Sequence, residues 1–127
     1  MSAERLTTLD VRKIDSESGR DWTLTAPFIA VITLNGTEYF IRVPNGFVTD
    51  FASVPRIPLA FMLFGGIGEY AAVIHDWLYR TNMYPREICD AIFKEMLLHV
   101  DKTSGFRAWC MHRAVRIGGG GPYENKL

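Results

Sequence analysis

Cysteine is scarce in this chain. It has two, Cys89 and Cys110, in 127 residues, too few for a disulfide framework. Both fall in apolar helical patterns, where small buried free thiols are common; one bridge between them is the alternative. An excess of either charge is also missing. The 14 Lys and Arg balance the 14 Asp and Glu, so no broad basic field advertises nucleic-acid binding. Only a local group, Arg107, Arg113 and Arg116, stands out. Long hydrophobic runs are absent. The best candidate, "IPLAFMLFGGIG", is interrupted by glycine and falls short of the roughly 20 apolar residues of a spanning helix. The N-terminal "MSAERLTTLDVRKIDSESGR" has no apolar signal core, so the expectation is synthesis in the cytoplasm without a transmembrane segment. No Cys-x-x-Cys or His-Glu-x-x-His occurs, and His99 and His112 have no metal-like spacing to His75. "GGIG" at 65–68 lacks the lysine and the preceding strand of a phosphate loop.

What is present reads as one globular domain over 1–127. The length suits a single core, and 48% hydrophobic with 22% charged residues is ordinary. β-Branched and aromatic residues fill a β region over about 5–50. Asn35-Gly36, between "FIAVIT" and "EYFIRV", is the signal for a two-residue type I′ hairpin. Asn45-Gly46 should turn the chain again, and "LTTLDVRKI" is the candidate for an earlier strand pairing with this meander. Ser16 to Arg20 reads as a polar turn.

Pro55 and Pro58 then prevent a regular helix or central strand, which predicts an irregular crossing. A helical region follows over about 68–118. It comprises "EYAAVIHDWLYRTN", then "PREICDAIFKEMLLHV" with Pro85 at a first helical position, then "SGFRAWCMHRAVRI" ended by "GGGG". Ile88, Ile92, Phe93, Met96, Leu97 and Val100 make one wide apolar face on the middle helix. "PYENKL" is a short tail. The fold class is α+β: a small N-terminal antiparallel sheet or meander, a proline-rich loop, then three helices.

The chemistry concentrates in "AAVIHDWLYRTNMYPREICDAIF". On a helix His75 and Tyr79 are neighbours at i,i+4, and Asp76 points about 100° away. The short connection makes the next helix antiparallel, which brings Asp90 near the level of His75 or Tyr79. A carboxylate accepting from imidazole fixes its tautomer and raises its basicity, so such a pair can activate water. The same three polar groups can equally be a clasp that locks two helices in register, since each would cost roughly 1–3 kcal/mol if left unpaired. A second cluster, Thr49, Asp50 and Ser53, lies where a strand ends. Asp50 and Ser53 suit turn caps. Asp50 is also a candidate partner of His75, or a metal ligand with Asp76. A Ser53-His75-Asp50 triad lacks the glycine pattern of a nucleophile elbow. "PLAFMLF" is either core or an exposed lip for lipid or a partner.

These residues carry two resemblances. "GFVTDFASVPR", "AAVIHDWLYR", "CDAIFKEML" and "RAVRIGGG", in this order from about Asn45 to Gly120, resemble the phage and prophage family known as domain of unknown function 1353. That resemblance implies a phage or prophage origin, synthesis in a bacterial host and a possible place in the virion; it brings no established activity. The helical pair alone resembles the secreted, bacterial and parvoviral phospholipases A2, which share His-Asp-x-x-Tyr. That likeness implies His75 as general base, Asp90 orienting it, Tyr79 holding Asp90, and Asp76 on calcium. The long β region and the short glycine segment before His75 depart from that family.

Two expectations result. One is metal-assisted hydrolysis of a lipid or cell-envelope ester or amide, with calcium or magnesium on Asp76 and Asp50. The other is a non-enzymatic virion or tail accessory, or a binder of a host factor, that contacts other phage or host proteins. In that case His75, Asp76, Tyr79 and Asp90 form a clasp.

Overall fold

The structure, a computed structural model, describes residues 1–17, 21–49 and 69–118. The proline-marked crossing with Asp50 and Ser53, "PLAFMLF", "GGIG", the glycines after Gly118 and the "PYENKL" tail all lie outside the described residues.

Six short strands come first. β1 is Ser2–Arg5, β2 Val11–Lys13, β3 Trp22–Leu24, β4 Phe28–Leu34, β5 Thr37–Val43 and β6 Val48–Thr49. They form two antiparallel sheets of three strands, ordered β1-β4-β5 and β2-β3-β6. The hairpin at Asn35-Gly36 is as its sequence dictates. Leu34 pairs with Thr37, and both turn residues have positive φ, 48° and 82°, the type I′ requirement. Asn45-Gly46 turns differently. Only Gly46 has positive φ, 91°, and the Phe47 N–H donates to the Pro44 carbonyl at 3.2 Å. This is a type II turn, and it carries the chain out of the first sheet into β6.

The early strand expected in "LTTLDVRKI" is present in its second half, and another strand precedes it. Strand structure begins at Ser2 rather than near residue 5, and β1 is the partner of β4. The Val11–Lys13 part of "LTTLDVRKI" pairs with β3 in the second sheet.

The helices are α1, Glu69–Thr81, α2, Arg86–His99, and α3, Gly105–Gly118. Glu69 in the first turn of α1 and Arg80 in its last complement the helix dipole, and Asn82 ends it in the left-handed region at φ 47°. The N-terminus of α1 is capped from across the fold. The Asp101 carboxylate accepts from the Tyr70 and Ala71 N–H groups at 3.1 and 2.9 Å. Pro85 is the N-cap of α2, one position earlier than expected. Its carbonyl accepts the first helical bond, from Cys89 at 3.1 Å. Ser104 caps α3 by accepting from the Arg107 N–H at 3.2 Å.

α2 is the central layer, packed between α1 and α3 and against β1 and β4. Alternate β4 residues Phe28, Ala30, Ile32 and Leu34 face inward, as period-two alternation requires. They share one apolar core with Ile41 and Val43 of β5, Val73, Ile74 and Leu78 of α1, and Ile92, Phe93, Met96 and Leu97 of α2. Among the described residues no helix is long and apolar enough to cross a membrane.

Candidate functional site: an aspartate shared by three helices

His75 and Tyr79 sit one turn apart on α1, and Asp90 lies opposite them one turn into α2. The antiparallel pairing brings all three together. His75 Nε2 is 2.8 Å from Asp90 Oδ1, and the Tyr79 hydroxyl donates to the same oxygen at 2.5 Å. The His75 ring packs against Tyr79 and Phe93, with centroids 4.0 and 4.6 Å away.

The other carboxylate oxygen belongs to two arginines that sequence reasoning did not place. Arg116 Nη1, from α3, donates to Asp90 Oδ2 at 2.7 Å. Arg86 Nε approaches the same oxygen at 3.8 Å. Arg86 also donates through Nη2 to the carbonyls of Val115, at 3.1 Å, and Arg116. It therefore satisfies last-turn carbonyls of α3, which have no partner within their own helix. Glu87 Oε1 lies 3.7 Å from Arg116 Nη2. Asp90 thus binds α1 through one oxygen and α3 through the other. The Arg86 to Asp90 spacing of i,i+4 was a readable signal. Arg116 had none beyond its membership of a basic group.

Burial sets the protonation states. His75 and Asp90 are both 0% exposed and Tyr79 is 4% exposed. Burial holds the His75 imidazole below its ordinary range, against the opposing hydrogen bond and charge of Asp90. Burial also pushes the Asp90 carboxyl upward. The hydrogen bonds from His75 and Tyr79, the His75 charge and the Arg116 bond outweigh it, and hold the group below the usual carboxylate range. Burial and the Asp90 carboxylate raise the Tyr79 phenol. The state at neutral pH is an ionised Asp90 accepting from a neutral His75. Nε2 then carries the imidazole proton and Nδ1 the lone pair.

The remaining sequence candidates are Asp76, Thr49, Asp50 and Ser53. Asp76 is 7% exposed, and its Oδ1 lies 3.4 Å from Arg80 Nε. Thr49 closes β6 opposite Trp22 and is buried. Asp50 and Ser53 lie outside the described residues, and with them the Asp50-Asp76 metal pair and the Ser53 triad. Among the described residues no group of three or more His, Cys, Asp or Glu could hold a metal ion. Arg80, one turn along the same helix, is a charged neighbour of Asp76. His99 pairs with Glu95 at 3.3 Å. Both cysteines are free thiols. Cys89 is buried, and burial raises its thiol to about 12; Cys110 is half-buried rather than buried.

The family model described as "Protein of unknown function (DUF1353)" matches residues 22–115. No curated protein and no solved structure matches the chain significantly. The matched span takes in both sheets' later strands, the α1-α2 hairpin and most of α3; on it, the chain belongs to the family of proteins of unknown function DUF1353.

Proposed function

We propose that this is a phage-encoded accessory protein that works by surface contact, and that its His-Asp centre is a structural clasp. The observation that supports it most is that His75 and Asp90 are fully closed to solvent while both Asp90 oxygens are taken, one by α1 and one by α3. A general base must reach water or substrate; a clasp need not. The neutral His75 donor, the Tyr79 donor and the Arg116 guanidinium satisfy a buried carboxylate that would otherwise be costly, and the Arg86 charge lies 3.8 Å away. The ordered motifs from Asn45 to Gly120 support a phage or prophage origin, synthesis in a bacterial host and association with the virion.

A second reading is favoured by one specific geometry. A neutral imidazole donating Nε2–H to a carboxylate, itself held by a tyrosine, is the arrangement of a base that activates water. In that reading His75 is the base of an ester or amide hydrolase acting on a lipid or cell-envelope substrate, Asp90 orients it and Tyr79 positions Asp90.

Melting curves in calcium, magnesium and zinc, with EDTA as baseline, separate the clasp from the metal-assisted form of this hydrolase, in which Asp76 holds the cation. Ligand at about 100 times its dissociation constant adds about 2.7 kcal/mol to the native state. The clasp reading expects no shift. A calcium-dependent rise that vanishes in Asp76→Asn would instead favour the metal-assisted hydrolase.

A further inference from the structure

α3 is apolar on two opposite sides. Ala108, Met111 and Val115 face inward and are buried. At about 100° per residue, Phe106, Trp109, Cys110, Arg113 and Ile117 fall within an arc of roughly 100° on the opposite side. Among the described residues that outer face is exposed. Phe106 is 72% exposed, Trp109 52% and Ile117 79%, so three large apolar side chains stand in water along roughly 16 Å of helix. Scattered exposed apolar residues need no explanation, but an aligned stripe of this kind marks a contact surface.

The charges say what it contacts. α3 contains three arginines and one histidine but no Asp or Glu. Arg113 is exposed in the middle of the stripe, its guanidinium 5.6 Å from the centre of the Trp109 ring. Arg107 and Arg116 flank the stripe, and Arg116 pairs with Asp90 and Glu87, which leaves Arg113 as the cation within it. A second copy meeting this face about a two-fold axis at its centre would set Arg113 against Arg113, which disfavours that pairing. A protruding Trp, Phe and Ile with a cation among them suits an interface that is apolar below and anionic above.

We propose that the outer face of α3 docks on an anionic lipid bilayer, with Phe106, Trp109 and Ile117 entering the headgroup boundary and Arg113 on lipid phosphates. This goes beyond the clasp reading and holds whether or not the Asp90 centre is catalytic.

The test is vesicle flotation of the full chain at pH 7 with phosphatidylcholine alone and with added phosphatidylglycerol. The wild type floats with the anionic vesicles and less with the neutral ones, and salt weakens the binding. The triple variant Phe106→Ser, Trp109→Ser, Ile117→Ser keeps its circular dichroism and loses at least tenfold in partitioning. Arg113→Gln loses about fivefold, the worth of one surface cation. Absence of flotation with anionic vesicles at low salt overturns the proposal, as does a triple variant that floats as well as wild type. A wild-type dimer in sedimentation equilibrium that the triple variant converts to monomer also overturns it, because the face is then taken by a second copy.

Discussion

His75 Nε2 lies 2.8 Å from Asp90 Oδ1, and neither residue is open to solvent. The pair joins α1 to α2, and through the second Asp90 oxygen the same carboxylate holds Arg116 of α3. Its removal therefore tests packing and electrostatics together. In Asp90→Asn the single amide oxygen can serve only one side, so the NH2 meets donors on the other, and Arg116 loses its buried counter-charge. The expected loss is about 3 kcal/mol, near the low end for breaking a buried pair because Arg116 keeps part of its side chain in water. Tyr79→Phe removes one donor of several and should cost about 1.5 kcal/mol. Urea unfolding of the two variants checks both the order and the sizes.

The pH dependence has two opposed sources. His75 is held below its usual 6.5, so below that pH the unfolded chain takes up the proton first. Stability present at pH 7 is lost as pH falls through 6.5. Burial raises the Asp101 carboxyl from 3.8 to about 6, against the pull of the Ala71 and Tyr70 N–H groups. Between these values the folded state binds more protons, so this group adds stability as pH falls. Urea melts at pH 7, 5.5 and 4.5 should show a shallower acid loss in His75→Gln and a steeper one in Asp101→Asn.

Asp101 also closes the N-terminus of α1 from 30 and 31 residues away. Asp101→Ala leaves the Tyr70 and Ala71 N–H groups without that acceptor. It should cost about 1–2 kcal/mol at pH 7, and hydrogen exchange should accelerate first at these two amides. Equal protection in variant and wild type would show that the cap contributes nothing.

Two glycines make a controlled contrast. An added Cβ meets nothing within 4 Å at either Gly36 or Gly105. Gly36 has φ 82°, so Gly36→Ala should destabilise by about 1 kcal/mol or more through backbone strain alone. Gly105 begins α3 without a positive φ, so Gly105→Ala should stabilise by about 0.4–1 kcal/mol. Thermal melts of the two variants should move in opposite directions.

What could be read from the chain was what local physics decides. Asn35-Gly36 dictated its own turn. Helical spacing and a short connection were enough to bring His75, Tyr79 and Asp90 together. The split into two sheets was not legible, because Asn45-Gly46 looks like a second hairpin signal. Only the Pro44–Phe47 type II turn diverts the chain. The choice of Ser2–Arg5 over Val11–Lys13 as the β4 partner is likewise a long-range pairing. Arg116 and Asp101 reach their partners across 26 to 31 residues, and nothing in a spacing rule encodes such contacts.

The clasp requires His75 to be a sealed, neutral donor to Asp90. Nitrogen-15 spectra of the histidine ring, followed from pH 8 to 5.5, report on this state. The clasp predicts a His75 signal fixed in the neutral Nε2–H form throughout, with an Nε2 proton that exchanges slowly with water. A His75 that titrates near 6.5 with rapid proton exchange would contradict it, and would show an imidazole open to water as a base must be.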